Sequence, residues 1–167
     1  MEEHEKYMSL ALEQAERALA EGEFPVGCVM VAAGSVVAGG RRINSHGNAA
    51  NELDHAEIVT LRRLLKERPG FSCSGLTVYS TMEPCLMCYS TLLLNGVRRF
   101  VFAYEDVMGG GTNLPLYLLS DLYFRMRVEL VSSVLRAESL ELFKRFFRRH
   151  DYWRDSLLAR YTMEQKP

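Results

Sequence analysis

One histidine and two cysteines stand at spacings that suit a metal. His55 lies in Asp54-His55-Ala56-Glu57, and Cys85 and Cys88 lie in Pro84-Cys85-Leu86-Met87-Cys88. Three protein ligands leave the fourth position of a tetrahedral zinc open, which is the pattern of a catalytic ion; structural zinc is normally closed by four ligands. A zinc ion lowers the pKa of bound water to about 7, so an attacking oxygen becomes available at neutral pH. Glu57, two residues after the histidine, need not share its direction. It offers a carboxylate to accept a proton from water and pass it to a leaving amine, a transfer that deamination requires.

The local sequence supports this set. Cys85 and Cys88 are three residues apart, so a helix places both sulfurs on one face. Pro84 suits the first helical position, where its missing N–H costs nothing, and the positive end of the helix dipole favours thiolates there. His55 opens a second helix. Each piece alone has a plainer reading: Cys-x-x-Cys also forms redox pairs and half-sites of structural zinc, and Cys28 or Cys73 could supply a fourth ligand.

The elements that would position these residues follow from periodicity. Met8, Ala11, Leu12, Ala15 and Leu19 make one apolar stripe of a helix over residues 4–21, ended by Gly22. Residues 26–32 are a strand, paired through Ala33-Gly34-Ser35 with a second from Val36 as a hairpin. The polar loop 44–54 leads to a helix over 54–67, ended by Pro69-Gly70. A strand over 76–80, a helix over 84–94 and a strand over 97–104 follow; strand, crossover helix and strand favour a parallel pair. The helix over 84–94 is apolar nearly all round and is expected to be buried on both sides. Residues 108–113 read as a flexible turn, 115–123 as a short helix, 127–131 as a fifth strand, and 138 to past 149 as the last long helix. The sum is an α/β domain of three layers, α/β/α, around a five-stranded mixed sheet. We expect one domain, 1–167, with a helical tail from about 150 whose layout the periodicity does not place.

The whole chain narrows the function classes. Its 167 residues, 48% hydrophobic and 25% charged, are ordinary for a globular protein. The net charge of −1 gives no general push toward nucleic acid. Charge is uneven: seven Glu face only Lys6 and Arg17 in the first 23 residues, while 144–150 are mostly basic. No apolar run approaches a membrane helix, and Glu2, Glu3 and His4 do not open a secretion signal. A cytoplasmic protein with reduced cysteines is expected.

The combination H-x-E followed by P-C-x-x-C is an established signature of zinc deaminases acting on nucleobases. On it, the chain resembles the cytidine deaminase-like superfamily over roughly residues 5–149, and most closely the branch of tRNA adenosine deaminases and guanine deaminases. The resemblance implies the cytidine deaminase-like fold, one Zn²⁺ per chain on His55, Cys85 and Cys88, Glu57 as the catalytic proton shuttle, and a homodimer. It implies hydrolytic deamination of a nucleobase, adenosine in tRNA foremost. A free guanine or cytosine base or nucleoside is the alternative substrate, and a non-catalytic RNA-binding protein the alternative class. It also suggests substrate contacts: Pro25 and Val26 in Phe24-Pro25-Val26-Gly27, Asn44, Glu83 before Pro84, and Asp106 after the fourth strand. Asp54 stands where relatives carry a small residue, and reads a base amino group or caps the helix. Arg41-Arg42 replaces the usual Trp-Asn, a departure near where substrate is read. Phe143-Lys144-Arg145-Phe146-Phe147-Arg148-Arg149-His150 resembles a helix that helps bind RNA; Leu140, Phe143 and Phe147 also make a plain core stripe.

Overall fold

The structure, a computed structural model, describes residues 1–166. Five strands, β1 (Gly27–Ala32), β2 (Ser35–Arg41), β3 (Thr77–Met82), β4 (Arg99–Tyr104) and β5 (Glu129–Val131), form one sheet in the order β2-β1-β3-β4-β5. β1 runs antiparallel to β2 and β3, while β3, β4 and β5 are parallel, so the sheet is mixed. The hairpin and the parallel crossover are as the sequence predicts.

Alternation explains the layers. Successive strand residues point to opposite faces, and here both faces are apolar because helices cover both. Val29, Val31, Tyr79, Val101 and Ala103 face α1 (Glu2–Ala20), which contributes Tyr7, Met8, Ala11, Leu12 and Ala15. Cys28, Met30, Val78 and Phe100 face the other way, onto Leu61 and Leu64 of α2 (Ala56–Glu67) and Tyr89, Leu92 and Leu93 of α3 (Leu86–Leu94). α1 lies so close to β1 that a Cβ on Gly27 would sit 2.1 Å from the Ala11 carbonyl oxygen.

α5 (Arg136–Phe147) packs against α1 and β4, and α6 (Leu157–Glu164) packs against α5. Ser156 caps α6, its hydroxyl accepting from the Ala159 N–H at 3.1 Å. Between β4 and β5 the expected single helix is two pieces, a 3₁₀ turn at Leu116–Leu118 and α4 (Asp121–Phe124). Among the described residues, no helix is long and apolar enough to cross a membrane.

Several sequence expectations are corrected. α3 begins at Leu86, not at Pro84, because Cys85 is still extended (φ −65°, ψ 168°) and pairs with Gly110 in an isolated antiparallel bridge. Nor is α3 buried all round: Leu86 and Leu94 are 53% and 56% exposed, since only one face meets the sheet. Residues 108–113 are not a loose turn. The Gly111 N–H donates to the Pro84 carbonyl at 2.9 Å, and Thr112 donates from both N–H and hydroxyl to Glu83. A Cβ on Gly111 would lie 2.7 Å from Leu86 Cα and 2.9 Å from the Cys85 carbonyl carbon, so only glycine lets this strap reach the cysteine segment. α5 stops at Phe147, and its aromatic residues Phe143, Phe146 and Phe147 are all buried. Lys144 is also turned in, donating to the Gln165 carbonyl.

Glu105, just after β4, ties the last two helices to the sheet. It accepts from Arg136 Nε at 2.8 Å and from the Tyr161 hydroxyl at 2.7 Å. Burial works against the Glu105 charge, but these two hydrogen bonds hold its carboxyl below the ordinary 4.5. Glu105→Gln is therefore expected to lower stability by about 1 kcal/mol at neutral pH. A depressed pKa means the stabilisation is complete above 4.5 and is lost as acid titrates the folded carboxyl through its lower value. Urea melts of both proteins at about pH 7 and about pH 3 should show the gap closing in acid.

Candidate active site

The site lies at the carboxyl ends of β3 and β4, where open α/β sheets place ligands. β3 ends at Met82, and the Glu83 N–H donates to the Tyr104 carbonyl at 2.7 Å, so the chain leaves the sheet at a fixed point before Pro84 and Cys85. Cys85 then caps α3, its carbonyl accepting from the Tyr89 N–H at 2.8 Å. His55 caps α2 in the same manner, its carbonyl accepting from the Val59 N–H at 2.9 Å. Two helix N-termini thus converge on one point.

The three expected ligands meet there. His55 Nδ1 lies 3.5 Å from Cys85 Sγ and 3.6 Å from Cys88 Sγ. A tetrahedron with Zn–S of about 2.3 Å and Zn–N of about 2.05 Å has an S···N edge of about 3.6 Å. The donor spacing therefore fits zinc. His55, Cys85 and Cys88 are the one such His/Cys/Asp/Glu group found among the described residues. Cys28 and Cys73 are buried elsewhere and belong to no ligand group, so no fourth protein ligand closes the set. The Cys85 thiol is pulled down to about 4, first by the hydrogen bond with Cys88 and then by His55. The same bond, with burial, pushes Cys88 up.

Glu57 stands beside the ligands but is not one of them. It is 3% exposed and accepts from the Ser80 hydroxyl at 2.9 Å through Oε1. Burial, and after it the nearby Cys85 charge, raises the carboxyl above its ordinary value. Glu57, His55 and Cys85 line a cavity of about 390 Å³, a size usual for small-ligand sites.

The other expected contacts divide into two groups. Val26, Glu83 and Asp106 line the cavity; Pro25, Asn44 and Asp54 do not. The Glu83 carboxylate is engaged, accepting from Thr112 and from the Asp106 N–H at 3.2 Å. Asp106 Oδ1 accepts from the N–H groups of Gly109 at 2.8 Å and Met108 at 3.0 Å, while burial raises its carboxyl. Asn44, in the left-handed conformation (φ 55°), donates through Nδ2 to Asp54 Oδ2 at 2.8 Å, and Asn51 does the same at 2.8 Å. Those two bonds, Asn44 first, lower the Asp54 carboxyl. Asp54 makes no helix cap, and His46 lies away from the ligand group, near the Glu21 carbonyl at 3.3 Å.

Sequence reasoning missed part of the wall. Arg42, already marked by the Arg41-Arg42 departure, is 2% exposed and lines the cavity; the residues missed beside it are Glu52, Tyr152, Trp153 and Leu158. The Tyr152-Trp153 pair and the Ser156-Leu157-Leu158 start of α6 were the available signals: aromatic residues in a polar tail, then a cap before apolar positions.

Comparison with known proteins agrees with this geometry. Residues 1–104 match the family model of the cytidine and deoxycytidylate deaminase zinc-binding region. The tRNA-specific adenosine deaminase of Bacillus subtilis is 33% identical over 148 residues, 89% of this chain and 91% of that protein. The tRNA-specific adenosine deaminase of Haemophilus influenzae is 32% identical, over 87% of this chain and 83% of that protein. A structure from work on A-to-I editing by tRNA:A34 deaminases superposes with a TM-score of 0.68 at 26% identity, covering 82% of this chain and 98% of that one. The guanine deaminase of Nitrosomonas europaea shares the fold, with a TM-score of 0.68 at 19% identity over 85% of this chain and 83% of that one. Ligand spacing, a buried carboxylate that no metal needs, and a family match over most of the chain converge: this is a zinc-dependent hydrolytic deaminase, and the chain belongs to the cytidine and deoxycytidylate deaminase zinc-binding family.

Proposed function

We propose that this chain converts adenosine to inosine in tRNA, releasing ammonia. One observation carries the reading: a buried, non-ligand Glu57 opens on the same cavity as the zinc ligands His55 and Cys85, in a chain 33% identical to a tRNA-specific adenosine deaminase. When bound by His55, Cys85 and Cys88, zinc supplies activation of the attacking water. Glu57 takes the proton released from that water, its Oε1 steadied by Ser80 and its other oxygen left to move the proton. It delivers that proton to the ring nitrogen, then takes the second proton from the hydroxyl now on the ring carbon and passes it to the amine, which leaves as ammonia when its bond to that carbon breaks. Phe24, Val26 and Met82 give the target ring apolar walls, and Asp106 stands at the rim. Asn44 and Asp54 act behind the wall, holding the loop that carries His55, and Pro25 fixes the approach to Val26.

A nucleotide in RNA must be flipped out of its stack to enter such a cavity. Arg145 on α5, and Arg148 and Arg149 just after it, remain exposed to meet phosphates. A free purine or nucleoside is the second reading, favoured by the burial of Phe143, Phe146 and Phe147, which removes the stacking platform that RNA recognition commonly uses. We further propose a single domain over 1–167, a cytoplasmic location, and a homodimer formed through the exposed Leu86 and Leu94 of α3.

Ammonia release from a tRNA anticodon stem-loop, free guanine, free adenine, cytosine and their nucleosides separates these readings. The expected result is turnover of the stem-loop with little from the free bases. Turnover of guanine with none of the stem-loop would overturn the tRNA assignment.

A further inference from the structure

We propose that Glu52 is a positioning residue that ties the zinc ligand His55 to the C-terminal wall of the cavity. With Nδ1 of His55 directed at both sulfurs, Nε2 carries the proton and faces outward. Glu52 Oε2 lies 3.3 Å from that Nε2. The same carboxylate accepts from the Tyr152 hydroxyl, at 2.9 Å to each oxygen, a residue 100 positions later in the chain. A carboxylate on the outer nitrogen of a ligating histidine sets ring orientation and raises ligand basicity.

The Glu52 side chain is 59% exposed, and an exposed carboxylate ordinarily makes no lasting contact. Here the loop around it is built. Asn51 Oδ1 accepts from the N–H groups of Leu53 at 2.8 Å and Asp54 at 3.0 Å, and the Asn51 N–H donates to the Asn44 carbonyl at 2.9 Å. Arg42, buried beneath, donates to the Asn51 carbonyl at 2.5 Å and the Ile43 carbonyl at 2.9 Å, with its NH2 group 3.5 Å from Glu52 Oε2. Among the described residues, buried Arg42 Nε has no hydrogen-bond partner, and the other two guanidinium nitrogens contact this loop. Tyr152 is packed in turn by Phe24, centroids 5.3 Å apart, and by Phe146 at 6.4 Å. A hydrogen-bonded loop and a packed tail therefore meet on one carboxylate. The family match ends at residue 104, so the tail half of this contact lies outside the shared zinc-binding region.

The inference rests on zinc binding by His55, and its test needs no substrate. Zinc-loaded protein is equilibrated with a colorimetric chelator, and the transferred metal is read for wild type, Glu52→Ala, Glu52→Gln, Tyr152→Phe and the Glu52→Ala/Tyr152→Phe double variant. Glu52→Ala is expected to weaken zinc retention about 10- to 100-fold, the size typical of losing such a partner. Glu52→Gln should restore it to within a few-fold, because the amide oxygen still accepts from Nε2–H and from Tyr152. Tyr152→Phe should weaken it a few-fold in the wild-type background and not at all in the Glu52→Ala background, since the path through Glu52 is then already cut. Wild-type zinc retention in Glu52→Ala, or an equal Tyr152→Phe effect in both backgrounds, would overturn the proposal. Failure of the tRNA assignment would leave these outcomes unchanged.

Discussion

Replacing Glu57 with glutamine is expected to reduce ammonia release by about 10²- to 10⁴-fold, roughly 3–5.5 kcal/mol of barrier, while zinc content and fold stay as they were. The amide keeps the volume and the bond from Ser80, so packing around this 3% exposed side chain changes little. What it loses is the basic oxygen. Burial raises the carboxyl above its ordinary value. A shuttle should show its loss in kcat more than in KM, because proton transfer belongs to the transition state. Steady-state ammonia assays with metal analysis on the same preparation check this. Unchanged turnover would remove the assigned role.

Loss of the metal should have the second large effect. Cys88→Ala, or exhaustive chelation of the wild type, is expected to abolish turnover and lower the melting temperature. A ligand present at about 1,000 times its Kd contributes about 4 kcal/mol, which for a chain this long is roughly 8–16 °C. Chelation should be the milder of the two for the fold, because it removes the metal and leaves every side chain in place. Cys88→Ala removes a ligand and also leaves a gap at a fully buried position. Differential scanning calorimetry of holo, chelated and variant proteins orders the three. A chelated protein with full activity would contradict the zinc assignment.

The chemistry was written locally. Histidine, glutamate and the cysteine pair each lie within four residues of a helix start, and helix geometry sets the directions within each of the two helices. The sheet was also legible, because a five-strand pattern with one hairpin and one helical crossover admits few arrangements. The apolar stripe of α5 correctly marked Phe143 and Phe147 as core, although the same residues had suggested an RNA platform. Periodicity tells which face of an element is apolar. It does not tell what covers that face.

Tertiary structure decided the rest. Leu86 and Leu94 look like core in an apolar helix, yet they are exposed because the sheet reaches only one side. Residues 108–113 look loose, yet glycine at 110 and 111 lets the strap lie against Glu83 and Cys85. Asn44 and Asp54 read as substrate contacts, yet they bond each other behind the wall. Glu52 and Tyr152 are separated by 100 residues, and no local rule connects them. Spacing along a chain encodes contacts within one turn of helix or one pleat of strand. The far wall of this cavity comes from a segment whose place is set only when α5 and α6 dock, so its residues could be read as functional only after folding brought them to the zinc ligands.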